Sequence, residues 1–163
     1  MAIPFTQREM ARAWRDHLSA YEKSQQIPRT NAHRLLLFYA VECGLKVILM
    51  KRKESKGHRT DLCTEIVECQ HNINKLLDYL KAGVSLNLPD IFMEEISVTN
   101  NYKKNNPKNE RKINSGQINQ MWRYGAKVIS IVDQEKQAQS NDEDIEKKLV
   151  AISQWIKGEI ERL

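Results

Sequence analysis

Several groups of side chains in this sequence have the types and spacing to do chemistry. Glu42 and Lys46 stand four apart inside LLLFYAVECGLKVILM, residues 35–50, a run otherwise apolar on every helical face. Glutamate ahead of lysine is the favoured order at that spacing. Burying both is costly unless they pair or serve a site. Arg52 and His58 are separated by five residues, a spacing used by some metal-free ribonucleases. There a cation stabilises the phosphorane while imidazole moves the 2′-hydroxyl proton. Arg29 and His33, at a helix start, form a near match one residue short. His71 and Asn72 open HNINKLL: they point into a cleft if a new helix starts there, and lie on the surface if one helix runs through. In Trp122-Arg123-Tyr124-Gly125 the aromatics suit base stacking and the arginine suits phosphate. The structural alternative puts Trp122 in the core, Arg123 on Glu42 and a turn at Gly125.

His58, Cys63, Cys69 and His71 are all zinc-ligand types. Their spacing matches no familiar zinc motif, and one continuous helix would scatter them over several faces. No metal or other cofactor is therefore expected, and Cys63 and Cys69 are assigned to the core. Three cysteines at these spacings make no disulfide framework, so reduced thiols in a cytoplasmic protein are expected. MAIPFTQREM lacks the basic and apolar regions of a signal peptide.

Helices must position these groups. The run 35–50 is too short and too charged at its centre to span a bilayer, so it is expected to be the buried central helix of a helical domain. Thr30 or Asn31 caps it, and it ends near Lys53. A first helix over 6–25 buries Met10, Trp14, Leu18 and Tyr21, and Pro28 closes it off. A third runs from Thr60 or Asp61 to Gly83 with a stripe of Leu62, Ile66, Cys69, Ile73, Leu76 and Leu80. Weak helix formers at Asn72 and Asn74 leave room for a break near His71 as the alternative to one continuous helix. A short helix is expected over 89–97, and a long polar loop over 99–116. Residues 117–132 suit helix or partly extended chain. Ser140-Asn141-Asp142 caps a last helix that buries Ile145, Leu149, Ile152, Ile156, Ile160 and Leu163.

The chain's 163 residues suffice for one domain with a proper core. A hydrophobic fraction of 40% and a charged fraction of 29% suit a folded globular protein rather than a disordered one. The net charge of +5 permits nucleic acid as a partner without requiring it. Cations concentrate in two places, Lys51–Arg59 and the loop carrying Lys103, Lys104, Lys108, Arg111 and Lys112. Such patches are either a nucleic-acid footprint or solvated loop and helix ends.

The segments HRLLLFYAVECGLKVILMKR, HNINKLLDYL, MWRYG and SQWIKGEIERL, in that order, resemble the HEPN superfamily, the higher eukaryotes and prokaryotes nucleotide-binding domains. FYAVECGLK is the strongest of these pieces. The resemblance implies an all-α fold, an up-and-down bundle of four to five helices, often dimeric. It also implies work in bacterial defence or toxin-type systems, as a metal-independent endoribonuclease or as a non-catalytic module binding RNA, a nucleotide or a protein. Active members carry an arginine, a polar residue and then a histidine at the start of a late helix. This chain has no histidine after Arg111. A binding module without an intact catalytic motif is the expected reading, with Glu42, Lys46, Asn72, Trp122, Arg123, Tyr124, Lys103 and Lys104 as binding residues. A ribonuclease with displaced groups, drawn from Arg52, His58, His71 and Arg123, is the alternative. A structural subunit of a helical assembly is a third.

Overall fold

A computed structural model describes residues 5–25, 28–55, 64–96, 109–132 and 137–163. Helix α1, Gln7–Lys23, starts where Thr6 and Glu9 cap one another's backbone amides, and it buries Trp14, Leu18 and Tyr21. Helix α2, Asn31–Ser55, is the long central rod. Its Leu37, Phe38, Ala40, Val41, Leu45, Val47 and Ile48 have no exposed surface. A stripe that goes all the way round needs neighbours all the way round, and α2 has them. It packs on α1, on α4 (Ile73–Tyr79), on α5 (Ile118–Arg123) and on α6 (Asp142–Arg162). Among the described residues no helix is long and apolar enough to cross a membrane.

Gly44 sets how closely α2 approaches its neighbours. A Cβ there would lie 2.7 Å from the Trp14 ring of α1 and 2.8 Å from Ile156 Cγ2 of α6. Overpacking of that kind costs about 1–3 kcal/mol, offset by about 1 kcal/mol of better helix propensity. Gly44→Ala is therefore expected to lower the melting temperature by a few degrees in a thermal scan. An unchanged or higher value would show that Trp14 moves aside freely.

The third helical region is two helices. Helix α3, Thr64–Cys69, stops at Gln70, whose φ of 48° turns the chain into the left-handed region. Asn72 then caps α4, its side chain accepting from Lys75 N. Asn74 clasps the backbone of Leu88 in both directions, donating at 2.8 Å and accepting at 2.7 Å. The helix ends at Tyr79, ahead of Lys81 with φ 54° and Gly83 with φ 93°.

The expected all-α fold needs correction, because the chain is mostly helical but carries a small antiparallel sheet. Strand β1, Ile91–Ile96, replaces the expected short helix. Strand β2, Asn109–Ile113, falls where the sequence suggests loop. With β3 (Val128–Val132) and β4 (Gln137–Gln139), the order is β2-β1-β3-β4. Ile91 aligns with Ile113 on one side and Ile131 on the other, and these pack into the core. Pro89 is a poor reason for a helix here, since IFMEEI gains cross-strand partners on both edges.

Helix α6 opens on an Asn141–Asp144 capping box and buries Ile145, Leu149, Ile152 and Ile156. Ile160 is partly buried, while Leu163 is half-exposed rather than core. Glu146, also buried, accepts the Tyr21 hydroxyl, the Arg34 Nε at 3.1 Å and an ion pair with Arg29 at 3.6 Å. Arg29 in turn stacks over the Tyr21 ring at 4.5 Å. This cluster bolts α1 and the start of α2 to α6.

Candidate functional site

The polar pair of the central helix has a third member. Glu42 is 5% exposed. It accepts Lys46 Nζ at 2.6 Å, and both its oxygens lie 3.1 Å from His71 Nδ1. The imidazole comes from the short junction between α3 and α4. The left-handed turn at Gln70 brings it round, and the Asn72 cap holds the next residue. Ser115 Oγ donates to Asn72 Oδ1 at 2.6 Å, tying that junction to the chain ahead of α5.

Charge explains the protonation of this cluster. Burial pushes the Glu42 carboxyl up, but the hydrogen bond from His71 and the charge of Lys46 outweigh it and hold the group below its ordinary 4.5. The bond to Glu42 raises His71 above its ordinary 6.5, against partial burial. Burial, with Glu42 beside it, pushes the neighbouring Cys43 thiol up to about 12, so it is no nucleophile near neutral pH.

Glu42, Cys43, Lys46 and His71 form one wall of a cavity of about 610 Å³. Phe5, Glu9, Met10 and Ala13, from α1 and the residue before its cap, form the other. Glu9 spends its carboxylate on the Thr6 amide at 2.8 Å. The cavity thus has apolar walls and a charged corner, with the size and polarity typical of small-molecule sites. His71, which lines the cavity, uses Nδ1 on Glu42 and has no partner at Nε2 among the described residues.

The other sequence-chosen residues go to different places. Arg123 does not reach Glu42: it donates to the Tyr39 hydroxyl at 2.8 Å. Trp122 is core, 2% exposed, with its Nε1 donating to Asp142 at 2.8 Å. Tyr124 is 76% exposed, and Gly125 makes the turn after it with φ 76°. Arg52 faces the far end of the rod, donating to Leu80 O at 2.7 Å and to Glu159 at 3.0 Å. Arg29 joins Glu146, while His33 Nδ1 accepts the Thr30 amide at 3.1 Å, so that near match does not converge. His58, Cys63, Lys103 and Lys104 lie outside the described residues. Cys69 is buried, and among the described residues no three His, Cys, Asp or Glu side chains group as a metal site.

Sequence reasoning missed the α1 wall. Met10 reads as a core residue by periodicity, and Phe5 precedes the helix altogether. Neither carries a signal that a cavity opens between α1 and α2. Tyr39 was also overlooked, although it stands three residues before Glu42 and so shares its face. Comparison with known proteins finds no matching family model, no similar curated protein and no similar solved structure.

Proposed function

We propose that this chain is a HEPN-like binding module whose cavity between α1 and α2 holds a nucleotide unit. The observation that carries the reading is the Glu42–Lys46–His71 cluster opening into an apolar-walled cavity of about 610 Å³. Phe5 and Met10 offer the base an apolar surface. Protonated His71, gripped through Nδ1, offers Nε2–H to a phosphate oxygen. Lys46 and His71 make the Glu42 corner locally cationic, while Glu9 on the facing wall balances the lining as a whole. The order of helical segments that resembles the HEPN superfamily points the same way.

The test is titration of the protein with adenosine, guanosine, cytidine and uridine 5′-monophosphates, followed by calorimetry and by NMR shifts of the His71 ring. At least one is expected to bind and to move those resonances. His71→Ala is expected to weaken it about tenfold or more, the worth of a charge-assisted hydrogen bond. If no nucleotide binds at about 10 mM, weaker than any useful affinity, the reading fails.

One observation favours a second reading, strand cleavage. A carboxylate holding the Nδ1 of an imidazole is the arrangement of a general acid–base pair, with Lys46 2.6 Å from the same carboxylate. RNA cut in the presence of EDTA by the parent protein, and left intact by His71→Ala, would establish it. Intact RNA with both proteins would remove it.

A further inference from the structure

Resting on the nucleotide reading, we infer that the cavity is the first of two subsites for a single-stranded oligonucleotide, and that Tyr39, Arg123 and Tyr124 form the second. Three observations place this strip beside the cavity. Tyr39 lies one helical turn before Glu42 and Cys43 on α2, so its ring and the cavity wall share a face. Arg123 ends α5 with its guanidinium on the Tyr39 hydroxyl, and its charge is close enough to oppose the His71 imidazolium. Tyr124, which also engages Arg123, follows at once.

The side chains have the chemistry of a strand-binding surface. Arg123 is exposed and held in place by a hydroxyl rather than by a carboxylate, so its positive charge is not neutralised. Tyr124 is a large aromatic ring 76% exposed, beside that cation. The left-handed Gly125 turns the chain back, its next amide bonding to Met121 O at 2.9 Å, and so leaves the ring uncovered. A further cation, Lys127, is exposed two residues on. An exposed aromatic ring stacks any base, and adjacent arginine takes the connecting phosphate. Proteins bind single strands by this combination, whereas a duplex keeps its bases stacked and unavailable to a cavity. The occupant is therefore a single strand with one base in the cavity and the next on Tyr124.

The experiment compares a mononucleotide with a tetranucleotide of the same base, in the RNA and DNA series, by fluorescence anisotropy and competition. The tetranucleotide is expected to bind about tenfold tighter or more, the scale of one stacked base. That ratio is expected to collapse toward unity in Tyr124→Ala and in Arg123→Ala, and to survive in Tyr124→Phe, which keeps the ring. Both positions lie on the surface, and a thermal scan confirms that the variants fold. A tetranucleotide no tighter than its mononucleotide, or a ratio unchanged in the Tyr124→Ala, Arg123→Ala double variant, overturns the strip while leaving the cavity reading intact. A duplex that binds as tightly as the single strand also overturns it. If neither mononucleotide nor tetranucleotide binds, the cavity reading falls and the strip falls with it.

Discussion

Glu146→Ala is expected to cost about 3–5 kcal/mol of folding stability, the scale for removing one partner of a buried ion pair. Glu146 is the only carboxylate among the groups described in its cluster, and it serves three donors from two other segments. Without it, Arg34 and Arg29 keep their charges in surroundings where their side chains are only 11% and 19% exposed. The Tyr21 hydroxyl loses its acceptor as well. For a chain of this size each kcal/mol is worth about 2–4 °C, so a fall of about 6–20 °C should appear in a thermal scan. Glu146→Gln keeps an acceptor for Tyr21 but not the charge, and should fall between. A loss below about 1 kcal/mol for the alanine variant would show that the arginines escape to water.

The second large effect is the pH dependence set by His71. Its Nδ1 hydrogen bonds to Glu42, so in the neutral ring Nε2 carries a lone pair that repels phosphate. Only the imidazolium donates from both nitrogens. Nucleotide affinity is therefore expected to be high below the raised value of His71 and to fall about tenfold or more as pH rises through it. His71→Ala should be weak and flat across that range. An affinity unchanged from about pH 5.5 to pH 9 in the parent protein would contradict the role given to His71.

Stability should carry the same signature. His71 is raised in the folded state, so its contribution is complete below 6.5 and is lost as pH rises through the folded value. Glu42 is depressed, so its contribution is present above 4.5 and is lost as pH falls through the folded value. The pair thus supports the fold most between those limits. The imidazole is partly solvated, so the effect on stability is modest beside the effect on binding.

The three long helices, α1, α2 and α6, were legible because their signals are local. Thr6 with Glu9, and Asn141 with Asp144, announce helix starts within four residues. The stripe of Trp14, Leu18 and Tyr21 repeats at 3.6-residue spacing, and the apolar run of α2 requires burial whatever surrounds it. Glu42 and Lys46 announce their own pairing because four residues make one helical turn.

The sheet and the site had no such local mark. NERKI is polar and short, and it becomes a strand only because Ile91–Ile96 lies alongside it. Leu62 to Leu80 keeps a helical period straight through the break, so nothing but the backbone at Gln70 decides that His71 turns toward Glu42. That partner stands 29 residues away, and the far wall of the cavity comes from another helix again. What the sequence by itself determined was the set of amphipathic helices and the need to compensate a buried acid and base. Which groups supply that compensation was decided by tertiary packing, since side chains distant along the chain meet only after the backbone is placed.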